Sequence, residues 1–304
     1  MKVQVLMSTY NGEKYIEEQI QSLINNQKDD IQLNLMIRDD GSSDNTIPII
    51  KNIQKKNQML IELIEDINVG VTKSFLKLIE MAPEADLYFF CDQDDVWSSD
   101  KISIIETFVK KNEQPTAYVS GYYLTDAELN VQSEWIPSKN TENSLLQILF
   151  ANMVPGCVMG FNRALLVEMK KNMPEDVPMH DIYALATAYC CGEIQYIEKP
   201  LVYYRQHGNN VEGVHSKKIN LKRIWKKQKK IWTQGTQHTS ELAVLLLKKY
   251  EKILSTKKKD DLQLTGLYRN ALLSKCRLLL KEEIYYSGIR AKVQTLEKIL
   301  LGKF

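Results

Sequence analysis

The sequence predicts an α/β protein with a mostly parallel central sheet flanked by helices and a helical C-terminal extension. Two observations predict this class. Over the first hundred residues, short apolar runs alternate with stretches of helical periodicity, which is the pattern of parallel βαβ units. From residue 221 onward the pattern is helical and basic. With 304 residues, of which 44% are hydrophobic and 26% charged, the chain is long enough to bury a large core.

The predicted elements follow one another in a regular order. Strands are predicted at 3–7, 33–37, 59–64 and 87–90, and the helices between them at 16–24, 46–56 and 73–81. Pro48 is tolerated because it falls in the first turn of its helix. Further along, residues 118–124, 154–161 and 194–204 indicate strands, and residues 181–191 indicate a helix.

Charge is distributed unevenly along the chain. Residues 1–215 carry 18 Lys and Arg against 31 Asp and Glu, whereas residues 216–304 carry 22 against 7. The overall net charge of +2 therefore hides an acidic front and a basic rear. This asymmetry predicts a boundary near Ser216, with one domain at 1–215 and a basic helical region at 216–304.

The segment 217–232 combines eight Lys and Arg with an apolar arc on the opposite helix face. This pattern fits a helix that rests on an anionic membrane. It fits slightly better a helix that packs its apolar stripe on the rest of the protein, with the cations still free to meet a membrane. No nucleic-acid-binding motif is present, so we expect no nucleic-acid partner. The chain shows no signal-peptide pattern, and its five cysteines lack a disulfide or ligand spacing. We therefore expect a cytoplasmic protein, peripheral at the inner face of the membrane if the basic segment binds lipid.

Each of the first four predicted strands ends in polar, turn-forming residues. In parallel sheets of this kind the carboxyl ends of the strands form the ligand-binding edge. We therefore expect these strand ends to lie close together, and they are residues 8–12, 38–44, 66–70 and 92–95.

The last of these strand ends contains three carboxylates in four positions, Asp92, Asp94 and Asp95. In an extended chain Asp92 and Asp94 would point to the same side. A divalent cation with oxygen ligands would relieve their repulsion and could also hold substrate phosphates. An acidic turn that caps the following helix, near Ser98 and Asp100, is the alternative.

In chain order, these segments resemble the inverting family 2 glycosyltransferases with the GT-A fold, a Rossmann-like fold. The resemblance covers roughly residues 1–215. The sequences at 92–97 (Asp-Gln-Asp-Asp-Val-Trp), 180–181 (His-Asp) and 204–207 (Tyr-Arg-Gln-His) are particularly similar to bacterial rhamnosyltransferases of polysaccharide assembly. The resemblance implies that the protein transfers a sugar to a hydroxyl of a growing, lipid-linked cell-surface glycan. The sugar it implies is L-rhamnose, from dTDP-β-L-rhamnose. The alternatives are a UDP-hexose donor or a non-catalytic sugar-nucleotide-binding or membrane-surface protein.

The resemblance also implies roles for individual residues. Those expected to contact the sugar nucleotide are Thr9, Tyr10, Asn11, Asp39, Asn68, Gly70, Asp92 and Arg205. Asp94 and His207 would hold a divalent metal, Mn²⁺ or Mg²⁺. Asp181, at the start of its helix, would be the general base, with an N-cap aspartate as the alternative. The residues expected to border the acceptor pocket are Trp97, Gly156 and His180; for Trp97, packing in the core is an equal alternative.

Overall fold

The structure is a computed structural model that describes residues 1–57, 60–109, 114–138, 144–207, 238–285 and 289–302. The chain forms two units. The first comprises Met1–Asn140, Val154–Glu175 and Gly192–Val211, and the second Thr141–Met153, Asp176–Cys191 and Glu212–Phe304. The predicted boundary near Ser216 and the basic segment 217–232 lie outside the described residues.

The first unit contains a nine-stranded sheet. Its strands are β1 (Lys2–Thr9), β2 (Gln32–Asp39), β3 (Leu60–Glu65), β4 (Leu87–Cys91), β5 (Val96–Trp97), β6 (Thr116–Thr125), β7 (Val131–Trp135), β8 (Met159–Asn162) and β9 (Glu193–Arg205). Their order is β3-β2-β1-β4-β8-β6-β9-β5, with β7 paired to β6. The pairs β3–β2, β2–β1 and β1–β4 are parallel, and so is β6–β9, whereas β8 runs antiparallel to both of its neighbours.

The parallel half of the sheet is buried on both faces, as is usual for parallel strands. Every residue of β4 is buried, and β1 is buried over most of its length. The helices of this unit are α1 (Ile16–Ile24), α2 (Thr46–Lys56), α3 (Val71–Met81), α4 (Lys101–Glu106) and α6 (Arg163–Lys170). The predicted α/β alternation of the first ninety residues is confirmed, with element ends within two residues of the prediction.

The segment predicted as one strand at 154–161 is different in the structure. Residues Gly156–Val158 form a 3₁₀ turn, and only Met159–Asn162 join the sheet as β8. The Val158 N–H donates to the Pro155 carbonyl, which closes the turn. Apolar residues alone do not separate a buried turn from a buried strand, so the prediction was wrong here.

The second unit is helical. Its helices are α5 (Leu145–Ala151), α7 (His180–Cys191), α8 (His238–Tyr250), α9 (Thr256–Leu267), α10 (Leu272–Leu279) and α11 (Ile289–Leu300). Phe150 and Tyr268 pack edge to face with ring centroids 6.0 Å apart. The Lys258 ammonium lies 4.4 Å from the centre of the Tyr189 ring. Within the described part of the chain, no helix has both the length and the apolar character needed to cross a bilayer.

Candidate active site

The polar ends of the parallel strands meet at one edge of the sheet. The Asp40 N–H donates to the Thr9 carbonyl at 2.8 Å, and the Asp66 N–H donates to the Asp39 carbonyl at 3.1 Å. These bonds extend the parallel register beyond β1, β2 and β3, so the three following loops start side by side. The expected convergence of strand ends is present.

Asp39, at the end of β2, organises the first two loops. Its carboxylate is fully buried. Oδ2 accepts from the hydroxyls of Thr9 at 2.8 Å and Ser42 at 2.6 Å, and Oδ1 accepts from the backbone N–H groups of Gly41 and Ser42. Because four donors already reach this carboxylate, its visible role is to shape the loops, and its nucleoside contact stays a prediction.

The loop after β1 exposes the aromatic ring predicted to meet the nucleoside. Tyr10 is 50% exposed, and its backbone exchanges two hydrogen bonds with the Gln93 side chain. Asn11 has a φ of +48°, and its side-chain oxygen accepts from the Ser43 N–H at 2.9 Å. Gln93, from the acidic segment, therefore ties the loop after β4 to the loop after β1.

A buried arginine supports the next loop. Arg38 is fully buried, with Nη1 2.5 Å from Asp40 and Nη2 3.0 Å from Asp66. The Asp40 carboxylate also accepts from the N–H groups of Val69 and Gly70, both at 2.8 Å. A buried carboxylate with these partners fixes the loop before α3.

Asn68 and Gly70 are both exposed at the surface of this loop. Gly70 has a φ of +87° and a ψ of 156°, a conformation that side chains disfavour, and the space beside its Cα is open. This geometry leaves room for a ligand next to the backbone. The predicted contact of both residues with a sugar nucleotide stays a prediction.

Asp94 and His207, the two predicted metal ligands, lie side by side although 113 residues separate them. His207 Nε2 is 2.7 Å from Asp94 Oδ2, and both side chains are partly exposed. A carboxylate oxygen and an imidazole nitrogen at one partly open point are a donor pair that suits Mn²⁺ and accommodates Mg²⁺.

The two other carboxylates of the cluster, Asp92 and Asp95, differ in environment. Residues 93–94 form a bend, so the extended backbone on which the predicted shared side of Asp92 and Asp94 rested is not present. Desolvation and then the Asp94 charge raise the pKa of Asp92 to about 7. Burial, followed by the charges of Asp94 and Asp92, raises the pKa of Asp95 well above its usual range. A bound cation would reverse this tendency by favouring the ionised carboxylates.

Asp92, Asp95 and Cys157 also place one potential ligand atom each within 4.8 Å of one another. Burial raises the pKa of the Cys157 thiol well above its ordinary value, so this sulfur stays protonated. A neutral thiol is a poor ligand for a hard cation, which prefers oxygen. The donor set that fits a divalent metal is therefore Asp94 with His207, with Asp92 beside them.

Arg205, at the end of β9, connects the acidic cluster to two other parts of the unit. Its backbone N–H donates to Asp95 Oδ1 at 3.0 Å, and its Nε donates to the Asp94 carbonyl at 2.8 Å. Nη1 donates to the Ala127 carbonyl at 2.6 Å, and Nη2 donates to Glu18 Oε2 at 2.5 Å. All three nitrogens of this buried guanidinium thus donate to protein acceptors, and its diphosphate contact stays a prediction.

Two residues at the start of α1 belong to the same constellation and were missed from the sequence. The Tyr15 ring lies 4.8 Å from the His207 ring and 4.5 Å from the Arg205 guanidinium carbon. Glu18, one turn later, accepts from Arg205, 187 residues away. A single sequence offers no local signal for partners so far apart.

Trp97 and Gly156 are buried in the first unit. Trp97 is only 3% exposed, with its ring 5.2 Å from Phe89 and the Lys101 ammonium 3.7 Å from the ring centre. Desolvation lowers the pKa of this fully buried lysine to about 8. Of the two interpretations left open for Trp97, its position favours core packing. Gly156 begins the 3₁₀ turn before β8.

His180 and Asp181 begin α7, in the second unit. His180 is 3% exposed, and burial lowers the pKa of its imidazole to about 3, so it is neutral at physiological pH. Asp181 is 7% exposed, and its Oδ1 accepts from the Ile182 N–H at 2.6 Å. The roles of general base and of acceptor-pocket residue stay predictions.

Comparison with known families shows to which family the chain belongs. A model of the family described as glycosyl transferase family 2 matches residues 4–168, which include the ends of β1, β2, β3 and β4. The chain belongs to this family. It is 32% identical over 232 residues to the dTDP-rhamnosyl transferase RfbG of Shigella flexneri, covering 72% of this chain and 78% of that protein.

Solved structures support the same fold for this family 2 glycosyltransferase. TarS 1–349 of S. aureus in complex with UDP-GlcNAc superimposes with a TM-score of 0.59 at 18% identity, over 100% of this chain and 82% of that one. The mannosyltransferase PcManGT of Pyrobaculum calidifontis, solved with GDP-Man and Mn²⁺, gives 0.54 at 15% identity, over 99% and 80%. The sheet is that of the GT-A fold, and the protein is a glycosyltransferase.

Proposed function

We propose that this family 2 glycosyltransferase transfers L-rhamnose, with inversion, from dTDP-β-L-rhamnose to a hydroxyl group of a growing, lipid-linked cell-surface polysaccharide. Support for the donor comes from the similarity to a dTDP-rhamnosyl transferase over most of both chains. Support for the site comes from one observation, the 2.7 Å approach of His207 to Asp94 at the edge where the parallel strands end.

A divalent cation held by Asp94 and His207 would neutralise the diphosphate of the leaving nucleotide, where negative charge grows during transfer. Asp92, half-buried beside this pair, would face the ribose or the sugar. We assign Arg205 to positioning, because its guanidinium already holds the Asp94 carbonyl and Glu18. Tyr15 lies against His207 and orients its ring.

The remaining residues act on the substrates. Tyr10 offers an exposed ring on which a base can stack, and the open space beside Gly70 admits the nucleotide. Asp181 accepts the proton of the acceptor hydroxyl while the oxygen of that hydroxyl bonds to the anomeric carbon. The bond from that carbon to the diphosphate oxygen breaks at the same time, and the nucleoside diphosphate leaves with the electron pair. Attack from the opposite side inverts the anomeric centre.

A donor screen tests the proposal. Binding of dTDP-rhamnose, UDP-GlcNAc and GDP-mannose to the full chain is measured by titration calorimetry with Mn²⁺, with Mg²⁺ and with chelator. Product formation on lipid-linked acceptors is followed by mass spectrometry. We expect dTDP-rhamnose to bind most tightly, to bind more tightly with the cation than with chelator, and to be consumed in transfer.

The matched variants are Asp94→Asn and Asp86→Asn, which change carboxylates near opposite ends of the same strand, β4. Asp94→Asn should abolish the effect of the cation on donor binding, whereas Asp86→Asn should preserve it. Tighter binding and turnover of a UDP- or GDP-sugar would overturn the donor assignment. Cation-dependent binding that survives in Asp94→Asn would overturn the metal site.

A further inference from the structure

An exposed apolar stripe lies on α10 and on the residue that follows it, in the second unit. Leu272, Leu273 and Leu280 are 77%, 80% and 82% exposed. On a helix with about 100° per residue they fall within an arc of roughly 100°. Leu278 alone is fully buried, so the helix attaches through one face and presents the leucines on another. Leucines this exposed on one face mark an interaction surface.

The neighbouring helix α11 extends this apolar surface. Lys275 Nζ donates to the Leu300 carbonyl at 2.9 Å, which places the end of α11 beside α10. Leu300 and Leu301 are 51% and 39% exposed there. We call Leu272, Leu273, Leu280, Leu300 and Leu301 the apolar patch.

The surroundings of the apolar patch are cationic. Residues 269–302 contain seven Lys and Arg but only three Glu. Arg277 is exposed at the edge of the leucine arc, and Lys292 is exposed on α11. Arg269 lies beside Gly302, at the end of α11.

The positive charge around the apolar patch favours an anionic membrane over a second copy of the chain as its partner. A symmetric dimer through the patch would bring the same cations against their own copies, which is unfavourable. An anionic bilayer surface attracts each of these cations and also accepts leucine side chains at the boundary of headgroups and acyl chains. We propose that the apolar patch inserts into the interface of an anionic membrane, with Arg277 and Lys292 contacting lipid headgroups. This inference depends on neither the donor nor the metal site.

The test uses the full chain and vesicles of phosphatidylcholine with and without phosphatidylglycerol. Cys276 lies inside the leucine arc and is exposed, whereas Cys91, Cys157 and Cys190 are buried and Cys191 is partly exposed. An environment-sensitive fluorophore on Cys276 of a Cys191→Ser chain therefore reports insertion directly. We expect its emission to shift to the blue with anionic vesicles and not with neutral ones.

Two sets of variants probe the surface. The triple variant Leu272→Ser, Leu273→Ser, Leu280→Ser should weaken co-sedimentation with anionic vesicles at least about tenfold, because burial of each leucine is lost. Its control, Val244→Ser, Ile253→Ser, Leu267→Ser, removes exposed apolar residues from other parts of the unit and should bind like the wild type.

The charge variants separate lipid attraction from apolar burial. Arg277→Gln with Lys292→Gln should lower vesicle affinity by about fivefold for each charge removed. Lys55→Gln with Lys56→Gln, exposed at the end of α2, is the matched control.

The proposal is overturned if the leucine variant binds anionic vesicles as tightly as the wild type, or if the wild type binds none. It is also overturned if light scattering shows a dimer that the leucine variant dissociates while vesicle binding is unchanged. Nucleotide-sugar binding should be unaltered in all these variants, so failure here is distinguishable from failure of the donor assignment.

Discussion

Arg205 is the residue whose replacement most directly tests how this active site is held together. In Arg205→Met the carbonyls of Asp94 and Ala127 lose their donors. Both carbonyls are only partly buried, so each one left without its donor costs about 1–2 kcal/mol, the lower part of the range for an unsatisfied acceptor. Glu18 is 52% exposed and regains water, so the loss of its ion pair adds at most about 1 kcal/mol. We expect the free energy of unfolding to fall by about 2–5 kcal/mol.

The same replacement should loosen the proposed metal site. The Arg205 Nε–H holds the carbonyl of Asp94, the residue whose carboxylate meets His207. We therefore expect Mn²⁺ affinity, measured by electron paramagnetic resonance, to fall about tenfold or more, as when a supporting partner of a metal ligand is removed. Donor binding measured with chelator present should change little.

Arg205→Lys distinguishes positioning from direct contact with the diphosphate. A lysine retains the positive charge that a phosphate contact needs, but it cannot donate in three directions from a planar group. If Arg205 positions the site, Arg205→Lys should show most of the loss of stability and of Mn²⁺ affinity that Arg205→Met shows. Urea unfolding followed by circular dichroism and fluorescence measures the first quantity.

Lys51→Met is the control, because Lys51 and Glu65 form an exposed ion pair at 2.6 Å that should contribute less than about 1 kcal/mol. Wild-type stability and Mn²⁺ affinity in Arg205→Lys, together with weakened donor binding in Arg205→Met without metal, would refute the positioning role.

Three further predictions concern other parts of the chain. The folded protein keeps His180 neutral down to pH about 3, whereas the unfolded chain protonates it near its ordinary pKa, so stability should fall by about 2 kcal/mol from pH 7 to 5. Urea titrations should show a shallower decline in His180→Gln; an identical pH slope would contradict this cause. Gly70→Ala should lower stability by about 1–3 kcal/mol, because φ is +87° while no atom obstructs the new methyl group; an unchanged urea midpoint would show that no strain arises. Asp181→Asn should retain donor binding in calorimetry but lose roughly 10²–10⁴-fold in transfer rate, and wild-type turnover would remove Asp181 from the role of base.

Local patterns in the sequence predicted the parallel half of the sheet well, because strand and helix periodicities act over a few residues. They were less informative where elements are short or irregular. Strand β5 has only two residues, and β7 is mostly exposed, so neither leaves an apolar signature. The turn at Gly156–Val158 was mistaken for strand because it is as buried as one.

The sequence by itself determined that polar segments end the first four strands, and the parallel arrangement then required these segments to meet. It also identified Asp94 and His207 as candidates for one metal site through the resemblance to a family. Only the tertiary structure decided which partner each carboxylate of the acidic cluster contacts: Asp94 contacts His207, and Asp95 accepts from the Arg205 backbone. It also decided that Tyr15 and Glu18 contact the residues at the end of β9. The physical reason is that periodicity reports which face of an element is buried. Which side chain from 110 to 187 residues away meets a given carboxylate depends on packing between elements, which no local pattern encodes.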